Sequence, residues 1–118
     1  IFLPDLSLGE HIELMQRKTK LDLSDALATW QLEELLPLPP AQLSSGQRQR
    51  AFLAIQLYLP AQVLLMDEPE RYLDTHWQQC LTTELRNLAS AGRIVVVATH
   101  SADMLAACDH CIVVGHHG

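Results

Sequence analysis

The sequence predicts an α/β fold: a helical lobe followed by part of a parallel β-sheet with crossover helices. Two short unbroken apolar runs, residues 63–66 and 94–98, have the texture of strands buried on both faces. A helical pattern separates them, which demands a crossover and hence parallel strands. Ahead of the first run, start and stop signals mark helices only.

Each element follows from its own residues. Ser7-Leu8-Gly9-Glu10 has capping-box spacing and starts a helix over 8–17. A second helix starts at Ser24, with Leu27 and Trp30 on one face, and cannot pass Pro37. Pro37, Pro39 and Pro40 predict an extended stretch. A third helix follows Ser44-Ser45-Gly46, carries Ala51, Phe52, Ile55 and Leu59 on one side, and stops at Pro60. Beyond the first strand, Thr75 and Gln78 form another capping-box pair. The helix they open places Trp77, Leu81, Leu85 and Leu88 at helical spacing, and Gly92 ends it. A strand over 94–98, a short helix over 102–107 and a third strand over 111–114 complete the pattern. The expected division is residues 1–60 as a helical subdomain and 61–118 as half of an α/β core.

Composition narrows the function. Of 118 residues, 48% are hydrophobic and 19% charged, enough apolar content for a core. The net charge of −6 lacks the basic footprint of a nucleic-acid binder, so no nucleic-acid partner is expected. Arg17, Lys18 and Lys20 lie beside Asp22 and Asp25 and read as a solvated helix end. No apolar run approaches the roughly 18 residues that span a bilayer. Three cysteines without a disulfide frame suit a reducing cytosol. Cys108-x-x-Cys111, with His110, His116 and His117 nearby, raises a zinc site, but Cys111 opens a predicted strand and is read as a small core residue. His11, His76 and His110 are read as surface residues. The start at Ile1, inside an apolar segment, reads as a cut in a longer chain.

Parallel sheets place functional groups at the carboxyl ends of their strands. Asp67 and Glu68 follow the first strand directly, and Pro69 stops it. One carboxylate at such an edge can hold a hydrated Mg²⁺, and its neighbour can polarise a water. Thr99-His100-Ser101 ends the second strand at the same edge, where an imidazole can donate to a developing phosphate charge. In isolation, Ser44 with Gln47 is a plain capping box, Asp67-Glu68 is as readily an ordinary acidic loop as a site, and His100 is a structural or surface histidine.

Four motifs in order and at the expected spacing change that weighting. Leu43-Ser44-Ser45-Gly46-Gln47 resembles the signature motif of ABC ATPases, usually written LSGGQ. Val63-Leu64-Leu65-Met66-Asp67-Glu68-Pro69 resembles the family's Walker B strand, and Leu73-Asp74 the end of its D-loop. The strand before Thr99-His100 resembles the switch-histidine strand.

The resemblance implies a P-loop NTPase fold and ATP hydrolysis coupled to transport. Two ATPase domains would meet head to tail around ATP, beside a transmembrane permease at the inner face of the membrane. It implies Glu68 as general base, His100 on the γ-phosphate and Asp67 on Mg²⁺ through water. Ser44, Ser45, Gly46 and Gln47 would close over ATP bound to the opposite domain, and Asp74 would communicate across the dimer. The helix N-terminus at Ser44–Gln47 suits an anion.

Four departures stand out. No G-x-x-x-x-G-K-S/T is present, so the Walker A half is absent and this chain alone should bind ATP poorly. The Gln loop is not identifiable either, and residue 1 reads as falling just after it. Ser45 replaces the signature's first glycine, and Glu70-Arg71-Tyr72 is bulkier and more charged than a usual D-loop. A soluble ABC protein of repair or translation and a non-catalytic regulatory half-site are the competing readings. The short 42-residue lead before Leu43 disfavours the repair type, and intact Glu68 and His100 disfavour the regulatory one.

Overall fold

Ser7 accepts from the Glu10 N–H while the Glu10 carboxylate accepts from the Ser7 N–H, and this capping box opens α1 (Leu8–Thr19). The computed structural model describes residues 6–107. α2 (Ser24–Thr29) is shorter than Pro37 would have allowed. It ends in a turn at Trp30, and a 3₁₀ turn at Glu33–Leu35 follows. The proline stretch is not extended throughout: Leu36 and Pro37 form a turn closed by the Leu38 N–H on the Leu35 carbonyl, and Pro39 is extended. Pro40 starts a second 3₁₀ turn, Pro40–Gln42, because its fixed φ suits a first helical position.

α3 (Ser45–Gln56) begins on the predicted Ser44–Gln47 box but ends before Leu59. Its buried residues are Ala51, Leu53, Ala54 and Ile55, whereas Phe52 is exposed, so the apolar face is rotated from the predicted one. β1 (Val63–Asp67) and β2 (Ile94–Ala98) pair in parallel with Val63 opposite Ile94 and Asp67 opposite Ala98. α4 (Thr75–Ser90) crosses between them and packs on β2, and α5 (Ala102–Ala106) follows β2.

Two further expectations are corrected by α4 and the strands. α4 is capped by Asp74, whose carboxylate accepts from the Trp77 N–H at 2.9 Å; Thr75 is already helical. Gln78 instead donates to the Leu73 carbonyl. The strands are buried on one face only. Leu64 and Met66 share an apolar cluster with Leu81 and Leu85 of α4, while Leu65 is 73% exposed and Val63, Ile94 and Val96 lie open with it. Alternate residues of a strand face opposite ways, and only one face carries a second layer among the described residues.

The same cluster runs into the helical lobe through Leu8, Trp30, Leu32 and Leu53. Arg17, Lys18 and Lys20 are exposed as expected, and Arg17 pairs with Glu13. His76 is exposed, but His11 is only half-exposed, its Nδ1 at 2.9 Å from the Ser7 carbonyl, which corrects its reading as a surface residue. The predicted third strand, Cys108, Cys111 and His110 lie outside the described residues. No helix among those described is long and apolar enough to cross a membrane.

Candidate functional site at the carboxyl edge of the sheet

The parallel register brings the ends of β1 and β2 to one level. The Glu68 N–H donates to the Ala98 carbonyl at 2.7 Å, continuing the ladder one residue past β1. Glu68 then takes φ 45°, in the left-handed region that costs a residue with a Cβ. Pro69, fully buried, follows and ends the strand. The strained turn is held by the Arg71 N–H on the Glu68 carbonyl and by the Gln49 amide of α3 on the Pro69 carbonyl at 2.9 Å.

That geometry turns the Glu68 side chain toward His100. Nε2 of His100 lies 3.2 Å from Oε1 of Glu68, and the two side chains are 68% and 37% exposed. Asp67 beside them is exposed. The edge therefore presents an acidic pair to solvent, with an imidazole on its second member.

The turn opening α3 is built differently. Ser44 and Gln47 satisfy each other's N–H groups, which leaves Ser45 and Gly46 as the next donors of the helix N-terminus. Gly46 lies so close to the segment after β1 that a Cβ there would sit 2.9 Å from the Tyr72 carbonyl oxygen. Tyr72 itself has φ 68°. The turn is thus packed on the 69–72 segment, and Asp74 stands at the far end of that segment as the cap of α4.

Residues 5–106 match the family described as "AAA domain, putative AbiEii toxin, Type IV TA system". The energy-coupling factor transporter ATP-binding protein EcfA of Carboxydothermus hydrogenoformans is 33% identical over 84% of this chain and 37% of its own length. The macrolide export ATP-binding/permease protein MacB of Shigella flexneri is 32% identical over 93% of this chain and 18% of its own. The dimeric structure of MJ0796, a bacterial ABC transporter cassette, matches with a TM-score of 0.76 at 26% identity. The match covers 90% of this chain and 51% of that one.

The chain belongs to the ABC ATPase family. It spans about half of that solved cassette and a smaller share of the curated relatives. In this ABC ATPase chain, Glu68 and His100 are in contact beside Asp67, while Ser44–Gln47 and Asp74 form a second group tied to the first through 69–72.

Thr99, Glu70 and Gln49, to which the motifs assign no role of their own, complete the edge of the ABC ATPase chain. Thr99 donates its hydroxyl proton to Oε2 of Glu70 at 2.6 Å and accepts from the Ser101 N–H at 2.9 Å. Gln49 supplies the link from α3. For Thr99 and Glu70 a signal existed: both lie within three residues of paired strand ends. Gln49 left none, because nothing local tells which helix packs on the turn.

A divalent cation fits this edge on the chemistry of its donors. Among the described residues no three His, Cys, Asp or Glu side chains gather into a protein cage. An exposed carboxylate at a strand end is the donor Mg²⁺ uses when it keeps several waters and takes its remaining oxygens from phosphates.

Proposed function

We propose that this chain is part of the ATP-hydrolysing subunit of an ABC transporter. The observation that carries the reading is the Glu68–His100 contact at the ends of two parallel strands, with exposed Asp67 alongside. Residues 1–60 act as the helical subdomain that meets a transmembrane permease, and 61–118 as half of the ATPase core, placing the subunit at the cytoplasmic face of a membrane. MacB, whose printed name joins an ATP-binding part to a permease, and the dimeric cassette support the permease and the second ATPase domain as partners.

The residues divide the work by their chemistry. Glu68, partly exposed at the strand end, accepts the proton of an attacking water. His100, held at 3.2 Å by that carboxylate, keeps it oriented and offers an N–H to the γ-phosphate as charge develops. Asp67 holds Mg²⁺ through water. The ion supplies charge neutralisation at the phosphate oxygens when bound. Ser45 and Gly46, with N–H groups at the start of α3, meet the γ-phosphate of ATP held by the opposite domain, and Ser44 and Gln47 keep that turn in shape. Asp74, capping α4, ties the position of the 69–72 segment to the dimer contact.

Replacing Glu68 with Gln in the native gene product tests this. Loss of the general base is expected to lower turnover by at least about 10²-fold, with an ATP-bound dimer accumulating in size-exclusion chromatography. A rate equal to the parent's would favour a non-catalytic half-site instead.

A further inference from the structure

Glu70 occupies a position where its chemistry has no obvious structural return. One carboxylate oxygen accepts the Thr99 hydroxyl at 2.6 Å, and the other, Oε1, is buried without a hydrogen-bond partner among the described residues. An unsatisfied buried acceptor costs stability. A smaller or apolar side chain on this turn would avoid that cost, so the carboxylate is better explained by what it holds.

What it holds is one side of a closed circuit. Glu68 and Glu70 are joined through Pro69, and Thr99 and His100 are joined directly. The Glu70–Thr99 hydrogen bond and the Glu68–His100 contact close the two gaps. Thr99 is itself oriented by the Ser101 N–H, and Glu68 is tied to β2 through Ala98. With both strand ends clamped, the strained φ of Glu68 and the 3.2 Å approach of His100 are fixed together.

We propose that Glu70 and Thr99 are positioning residues that set His100 against Glu68, so that turnover depends on a hydrogen bond neither of those two groups makes. The inference rests on the ATPase reading above. Its chemistry is specific: the Thr99 hydroxyl is the donor and a carbonyl-type oxygen at position 70 the acceptor.

Turnover of the native gene product, per folded molecule with the folded fraction taken from circular dichroism, tests it. Glu70→Leu removes the acceptor and Thr99→Val the donor. Each is expected to lower kcat about tenfold while KM for ATP stays within about twofold, the scale of one hydrogen bond to a charged group. Glu70→Gln and Thr99→Ser retain the bond and should retain the rate. The Glu70→Leu/Thr99→Val pair should fall no further than the worse single variant.

Unchanged kcat in Glu70→Leu, an equal loss in Glu70→Gln, or losses that multiply in the pair would each overturn the inference. Glu70→Leu carries the test if Thr99→Val disturbs α5, since it leaves the Ser101 contact in place. Glu68→Gln in parallel separates the two readings. Its failure to slow turnover removes both, whereas a slow Glu68→Gln beside a normal Glu70→Leu removes only this one.

Discussion

At the scale of single residues, Gly46 shows how tightly the candidate site is assembled. A Cβ there would lie 2.9 Å from the Tyr72 carbonyl oxygen, and backbone cannot swing aside as a side-chain tip would. Gly46→Ala is expected to cost on the order of 1–3 kcal/mol, the range for forcing atoms into a packed site, as read from the urea midpoint. A stability equal to the parent's would mean that the turn and the 69–72 segment part easily. The neighbouring Ser45 is exposed and meets no such limit, so serine is accommodated where the resemblance leads one to expect glycine. Glu68 carries the opposite burden. Its left-handed backbone is retained despite a Cβ, and four neighbours hold it: Ala98, Pro69, Arg71 and His100. Strain kept by surrounding contacts is a recurrent property of functional turns.

At the scale of elements, the turn that opens α3 caps a helix and is proposed to face an anion, and one serine separates the two. Ser44 caps the helix, and Ser44→Ala should lower stability by about 1 kcal/mol in denaturant unfolding. Ser44→Asp keeps a capping oxygen and adds charge favourable to the helix N-terminus, so stability should hold. An anion arriving at that turn would meet repulsion, so ATP-dependent dimerisation of the native gene product should fail in Ser44→Asp. Dimerisation at the parent's level would mean that no phosphate meets this turn. Much of this element was legible beforehand, because a capping box lies within four consecutive residues and depends on nothing distant. Asp74 and Thr75 were harder to tell apart: both are good caps, and the choice falls to Asp74 because its backbone is extended, at φ −74° and ψ 177°. The face of α3 was misjudged for another reason. Leu53 is buried and Phe52 exposed according to which neighbours the helix meets, and no local pattern contains that.

Across the whole molecule, an aromatic cluster joins the helical lobe to α4. Trp30 stacks on Trp77 at 5.8 Å, and the Arg50 guanidinium lies 4.4 Å over the Trp77 ring while donating to the Trp30 carbonyl. Trp30 Nε1–H donates to the Tyr58 hydroxyl, which donates in turn to Glu84 of α4. Burial foremost, then the hydrogen bond to Glu84, raises the Tyr58 phenol above its ordinary value of 10.0. Burial likewise raises the Cys80 thiol above 9.0. The unfolded chain therefore loses these protons at lower pH than the folded one. Above those ordinary values the unfolded state binds fewer protons, so stability is full below them and falls as pH rises. The urea midpoint should drop between about pH 9 and 11, and Tyr58→Phe should shrink that drop. An equal drop in Tyr58→Phe would place the sensitivity elsewhere.

The order of motifs from Leu43 to His100, the two strands, the caps of α1 and α3, and the acid pair at a strand end were determined by the sequence alone. Each depends on residues a few positions apart, where turn chemistry and apolar runs act locally. Tertiary structure decided the rest: the one-sided burial of the sheet, the seating of Gly46 on Tyr72, and the Glu70–Thr99 bond across 29 residues of chain. Those contacts exist only once β1 and β2 are in register and α3 has packed against the turn between β1 and α4. Spacing along the chain records which groups are present at an edge; the closure of the fold selects which of them touch.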